Sequence, residues 1–346
     1  MTQQRVVSQR PDRSQLKPVE AERFPGYMTV RTDKPGGLVA YQQDLVGFEA
    51  TNVVIRTCPP AENEPVFEDT APHIGPLSLL FTVGGRQAYE IDGRRLVVDE
   101  SGYLIHNLGQ TIVSLPDFAP PAESFTIGFW PGVAEEVLRS LVTPQDRLLD
   151  SPQAAPTQPV RFFDQLYPHS PRLASLLARL RAAVDDVAAT QGFWEELNYQ
   201  LLTAMLEEHR NIGKQIEALP PVRAATRIEL YRRLHRARDF MEAGLDQPLT
   251  IPQIAQEAWV SPYHFLREFK QVFGETPHQY LKRRRLEWAR QLLTTTDRSV
   301  TDICFTVGFQ SVGSFSSLFR RYMGAAPQEF RLRNRKAPQA FSAFWK

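Results

Sequence analysis

Apolar and polar positions change rhythm twice along this chain of 346 residues. Between about Leu38 and Trp130 the apolar residues come in short segments separated by turn chemistry. Val46–Thr57 carries the β-branched run Val53-Val54-Ile55, Leu77–Val83 is followed by Gly84-Gly85, and Arg86–Ile91 by Asp92-Gly93. Leu96–Val98, Tyr103–Ile105, Thr111–Leu115 and Ser124–Trp130 continue the series. Gly-Gly and Asp-Gly supply the positive φ angles that two-residue hairpins need. The series therefore predicts a small β-sandwich or barrel. Further on the period lengthens. Leu173, Leu176, Leu177, Leu180, Val184 and Val187 recur at helical spacing, Gly192 breaks the run, and Trp194, Leu197, Leu201, Met205 and Ile212 resume it. This is the pattern of an antiparallel helix pair. Its stripes suit packing onto the strands and a dimer seam equally well. Leu219-Pro220-Pro221 interrupts the helical pattern and places a linker at 214–224, after which the chain reads as helix to about Arg335. Residues 1–27 and 336–346 read as tails.

An internal repeat lies in the last third. Ile254 and Ala255 match Ile303 and Cys304 at an offset of 49, and Ser261, Phe265 and Phe269 match Ser311, Phe315 and Phe319 at 50. Gly274, Pro277 and Tyr280 over Gly324, Pro327 and Phe330 extend the second register. The slip of one falls where Val307-Gly308-Phe309-Gln310 replaces Ala258-Trp259-Val260, in a turn, where an insertion is tolerated. Each unit reads helix, turn, helix. Thr250 with Gln253 forms a capping-box pair, and Ser261-Pro262 opens the second helix of the unit. With Phe265 and Phe269 inward, Tyr263, His264, Leu266, Arg267 and Lys270 point out. In the second unit Val312, Gly313, Ser316, Ser317 and Arg320 do so, behind the cap Ser311. This is helix-turn-helix geometry, in which the second helix enters a major groove. Glu275–Leu293 would join the units rigidly enough to reach successive grooves about 34 Å apart.

Charge agrees with a polyanionic partner. The net charge of +1 divides into +10 for residues 221–346 and −9 for residues 1–220. Lys282, Arg283, Arg284 and Arg285, with Arg320 and Arg321, are the expected phosphate contacts. Composition is that of a soluble globular protein, and more than about 250–300 residues favours two domains. Two cysteines, Cys58 and Cys304, no apolar leader and no apolar run of membrane length point to the cytoplasm. Cys304 occupies a small buried position of the repeat, which suits packing rather than redox sensing.

GETPHQYLKRRRLEWARQLL followed by VTDICFTVGFQSVGSFSSLFRRYMGAAPQEFR resembles the DNA-binding domain of the AraC/XylS transcription regulators, over roughly residues 228–334. The resemblance implies that Tyr263, Leu266 and Arg267 meet base edges from the first recognition helix, and Val312, Gly313, Ser316 and Ser317 from the second. Many members carry a long polar or basic residue where this chain has Ser317, so the second helix is expected to contribute less base reading and more phosphate positioning.

The strand-rich segment is more loosely similar to the cupin-like effector-binding barrels of that family, and the helix pair to its dimerisation helices. The implied fold is α+β: a cupin-like β-barrel with a helical dimerisation pair at 28–213, then an all-α domain with two helix-turn-helix units at 225–335. The implied partners are double-stranded DNA, a small-molecule effector, a second copy of the chain and, for an activator, RNA polymerase; activation is expected over repression. Phe81, Tyr89, Tyr103, His106 and Trp130 are the candidate effector-pocket residues. QTIVS stands at Gln110–Ser114 where sugar-binding relatives have a His/Tyr-rich segment, which favours an apolar or aromatic effector. The rival reading is a non-metal cupin enzyme or isomerase with a helical appendage. His73 and His106 form no His-x-His pair, and no nucleophile triad or phosphate loop is present, so no catalytic residue, metal or cofactor is expected.

Overall fold

The computed structural model describes residues 38–45, 50–57, 73–119, 123–143, 159–184, 190–217, 219 and 224–334. Both tails, Cys58, Val187 and most of the 214–224 linker lie outside them; residues 214–217 are still helical.

Ten strands form two sheets. The larger has the order β1-β2-β9-β4-β7-β10, from β1 (Leu38–Leu45), β2 (Ala50–Thr57), β9 (Glu123–Phe129), β4 (Leu77–Val83), β7 (Gly102–His106) and β10 (Leu166–Pro168). The smaller is β3-β8-β5-β6, from β3 (His73–Ile74), β8 (Thr111–Ala119), β5 (Arg86–Ile91) and β6 (Arg94–Asp99). The recorded pairings are all antiparallel. At the β5–β6 turn Asp92 and Gly93 both have positive φ, 48° and 74°, as an Asp-Gly hairpin requires. No ladder joins the two sheets among the described residues, so the strands make an open sandwich where a closed barrel was expected.

The larger sheet is covered on both sides, which explains why β4 is buried at every position. Leu80 and Leu104 face the smaller sheet and pack with Tyr89, Ile91, Leu96, Val98 and Ile112. Leu79, Phe81, Tyr103, Ile105, Phe125 and Ile127 face the other way. There they meet three helices: α1 (Val133–Val142), α2 (Pro171–Val184) and α3 (Gln191–Glu217). The stripes of α2 and α3 are used up in that layer: Leu173, Leu177, Leu180, Leu197, Leu201 and Met205 are all at 0% exposure. Gly192 sits inside the first turn of α3 rather than before it.

The remaining helices are α4 (Ala224–Ala243), α5 (Ile251–Glu257), α6 (Pro262–Phe273), α7 (Pro277–Thr295), α8 (Val300–Thr306), α9 (Val312–Met323) and α10 (Pro327–Asn334). They close a second core around Leu234, Met241, Ile254, Phe265, Phe269, Ile303, Phe315 and Phe319. Among the described residues no helix is long and apolar enough to cross a membrane.

The five candidate pocket residues do not share a cavity. Phe81, Tyr103 and Trp130 belong to the layer under the helices, with Phe81 stacked on Phe125 and Tyr103 on Tyr167. Tyr89 lies between the sheets. His106 is held between two carbonyl oxygens, Nδ1 to Pro76 and Nε2 to Gln110, each at 3.0 Å. Alternation along a strand separates faces, and with a core on each face aromatic content alone does not say which core a residue joins.

Candidate nucleic-acid interface

Each helix pair is set by its own caps. Thr250 caps α5: its hydroxyl accepts from Gln253 N, and Gln253 Oε1 accepts from Thr250 N at 2.9 Å. Ser299 caps α8, accepting from Asp302 N at 3.0 Å. Ser261 and Ser311 cap α6 and α9, each accepting from the amide three residues on at 3.4 Å. Gly274 and Gly324 end these helices in the left-handed region, with φ 76° and 79°. Between the paired helices Trp259 and Gly308 hold the same left-handed place, φ 55° and 83°. Val260 N then reaches Ala255 O as Phe309 N reaches Cys304 O. The repeat stays at an offset of 49 through this hydrogen bond, so the inserted residue is Gln310, the last before the cap.

With Phe265, Phe269, Phe315 and Phe319 at 0% exposure, the opposite faces of α6 and α9 are presented to solvent. Tyr263, His264, Leu266, Arg267 and Lys270 are exposed on α6; Ser311, Gly313, Ser317, Arg320 and Arg321 are exposed at α9, with Val312 and Ser316 half-buried. Arg267 is engaged in the free protein: Nη2 and Nε donate to Glu268 Oε1 at 2.5 and 3.0 Å. That hydrogen bond, with the carboxylate charge, raises the guanidinium pKa. A base contact by Arg267 therefore exchanges one acceptor for another.

Arg284 is different. Its side chain is 6% exposed and bonds Glu242 Oε1 at 2.6 Å, Asp99 Oδ2 at 2.7 Å and Glu287 Oε2 at 2.7 Å. The structure thus removes it from the phosphate-facing set. Its neighbours are also engaged. Arg283 bridges Glu275 and Glu287. Arg285 donates to the carbonyls of Leu245, Gln247 and Gly308, tying the α4–α5 loop to the second turn. Of the basic quartet only Lys282 is exposed. Arg285 was missed as a structural residue because its acceptors are main-chain oxygens, which have no signature in sequence. Trp259 was legible: the repeat places it opposite a glycine.

Cys304 is buried, as packing requires, and burial raises its thiol pKa. Among the described residues no group of three or more His, Cys, Asp or Glu is placed to hold a metal ion.

A helix-turn-helix domain family model matches residues 254–333, which holds both units. The HTH-type transcriptional regulator ArgR of Pseudomonas aeruginosa is 40% identical over 103 residues, covering 30% of this chain and 31% of its own. The melibiose operon regulatory protein of Escherichia coli (strain K12) is 34% identical over 102 residues, 30% of this chain and 34% of its own. The chain thus spans about a third of the length of these two relatives. The regulatory protein SoxS of Salmonella typhimurium is 34% identical over 95 residues, and there the match covers 89% of the relative. The chain belongs to the AraC/XylS family. Similar solved structures include an AraC-type DNA-binding domain protein from Chromobacterium violaceum (34% identity, 33% of this chain and 99% of that one, TM-score 0.29). The AdpA DNA-binding domain in complex with a target DNA is another (29% identity, 31% and 98%, TM-score 0.30). The AraC/XylS match lies over α4 to α10, the part of the chain whose exposed faces are described above.

Proposed function

We propose that this protein is a sequence-specific DNA-binding transcription regulator of the cytoplasm, acting as a homodimer and as an activator that contacts RNA polymerase. The observation that carries the DNA reading is the pair of like-capped helix-turn-helix units whose second helices leave their polar and aromatic faces exposed. Tyr263, Leu266 and Arg267 take the base edges in the first unit, and Val312, Gly313, Ser316 and Ser317 in the second. His264, Lys270, Ser311, Arg320 and Arg321 position the phosphate backbone. Domain limits of 28–213 and 225–335 suit this division of labour.

A sensing role for the sandwich rests on a small cavity at one end of it. Ile91, Leu96, Leu104 and Ile105 supply its apolar side, and Asp92, Arg94, Gln110 and Asp164 its polar rim. Its volume is about 60 Å³, room for roughly two waters, so an effector that enters without parting the sheets has few heavy atoms. That bound excludes an aromatic ring from the cavity as it stands. None of Phe81, Tyr89, Tyr103, His106 or Trp130 lines it.

The test is selection of preferred duplexes from a random pool by the full chain, followed by titration against salt. A defined motif with a log–log slope of several units, about 0.9 for each neutralised phosphate, supports the reading. Absence of any enriched motif, with a slope near zero, overturns it. Turnover of a small molecule without DNA would favour the enzyme reading.

A further inference from the structure

The β5–β6 ribbon of the sandwich touches the helix-turn-helix unit through charges rather than through a shared apolar core. Arg86 and Asp99 are direct partners across the ribbon. From it they reach in opposite senses. Asp99 accepts from Arg284 Nη2 at 2.7 Å, in the middle of the helix that joins the two units. Arg86 lies over the Trp288 ring at 4.4 Å and donates to the main-chain oxygen of Glu242 at 2.5 Å. Glu242 is in the last turn of α4, where carbonyls lack helical partners and a cation is favoured. A second set stands beside the first. Arg94 donates to Asp239 at 3.3 Å, Arg238 bonds the same carboxylate at 3.0 Å, and Arg238 also donates to the Leu166 carbonyl of β10. The apolar part of the contact centres on Tyr231 of α4, which packs edge-on against Phe163.

We propose that this ribbon is a polar latch: it fixes the orientation of the DNA-binding unit on the sandwich, and it opens without disturbing the recognition faces. Three observations carry this. The groups involved regain water when the units part, whereas separating an apolar core would leave its surface unsatisfied, so opening is tolerated. The pairing is specific in sign, with a cation and an anion from one ribbon meeting an acceptor and a cation on the other side, so only one docked orientation satisfies both. None of the exposed side chains of α6 or α9 takes part, so the docked form leaves the DNA-facing surface open. Because Asp99 grips α7 between the two units, ribbon and both recognition helices move as one body while the latch is closed.

The experiment uses the full chain with spin labels on Glu90→Cys and Gln328→Cys, both exposed, in a Cys58→Ser background. Wild-type latch residues give one narrow distance distribution. Asp99→Lys with Arg86→Glu opposes every cross-unit pair of the first set, and is expected to broaden the distribution at least twofold. Circular dichroism and affinity for a single selected recognition sequence should stay within about twofold of the parent. If the double variant fails to fold, Asp99→Asn with Arg94→Gln removes charge without reversal and is read in the same way. An unchanged narrow distribution overturns the latch, and so does a loss of secondary structure or of single-site affinity beyond about tenfold in the milder variant. The distance measurement needs no DNA, so it fails independently of the functional reading.

Discussion

Arg284→Ala separates two physical roles for a residue in a basic run. In the structure Arg284 compensates three carboxylates, and Glu242 and Asp99 are themselves only 4% and 11% exposed. Truncation to alanine leaves those carboxylates buried without their cation. Breaking a buried pair by removing one partner costs about 3–5 kcal/mol, a large share of a typical stability of about 5–15 kcal/mol. With a urea dependence of about 2 kcal/mol per molar, the midpoint should fall by roughly 1.5–2.5 M. A side chain with no path to solvent neutralises no phosphate, so the salt slope of whatever folded protein remains should match wild type. Lys282→Ala, two residues earlier and exposed, is the control. It should move stability by no more than about 0.5 kcal/mol and lower the slope by about 0.9. Urea unfolding and salt titrations on both variants decide the matter. An Arg284→Ala protein with the wild-type midpoint and a slope lowered by about 0.9 would refute the reasoning.

Other outcomes follow from single contacts. Gly308→Ala should cost about 2–4 kcal/mol in urea unfolding: φ is +83°, which costs a side chain roughly 1–2 kcal/mol, and a Cβ there would stand 2.5 Å from Leu245 O; an effect under about 0.5 kcal/mol would count against it. Leu177→Ala, at a fully buried site under the larger sheet, should lose about 2–5 kcal/mol and leave sedimentation of the folded protein unchanged; a stable variant that only dissociates would return this stripe to a dimer seam. Arg267→Ala should weaken specific binding by about 1–3 kcal/mol and relax one base pair of the selected motif, whereas Ser317→Ala should cost about 0.5–1.5 kcal/mol; an unchanged motif from Arg267→Ala would refute the assignment. Burial opposes ionisation of Asp99, but the Arg284 and Arg86 guanidiniums and the Ser101 hydrogen bonds outweigh it and hold its pKa at about 2, below the ordinary 3.8. Its folded-state pKa being lowered, its contribution is complete above the unfolded pKa and is lost as pH falls from about 4 toward 2. The stability gap between wild type and Asp99→Asn should therefore narrow over that interval, and a gap that is constant from pH 5 to 2 would contradict it.

The helix-turn-helix repeat was legible because its determinants are local. Thr250 with Gln253, the serine caps and Gly274 and Gly324 act within a few residues of where they stand, and the Phe265–Phe269 and Phe315–Phe319 spacings define the inward faces by helical period alone. Exposure of Tyr263, Arg267 and Ser317 follows from the same period. Period does not tell what covers a face. Arg284 lies on a helix rich in cations, and only the fold brings Glu242 and Asp99, 42 and 185 positions away, to surround it. In the sandwich likewise, alternation placed the apolar residues in strands but not the two cores between which they are divided. Phe81 and Leu80 are adjacent in sequence and end in different cores, because the helices α1 to α3 return to cover one face while the smaller sheet covers the other. The sequence by itself determined the elements, their caps and the outward faces of the recognition helices. The tertiary structure decided which charges are spent inside the molecule, since pairing between distant residues depends on where the chain returns, which no local pattern encodes.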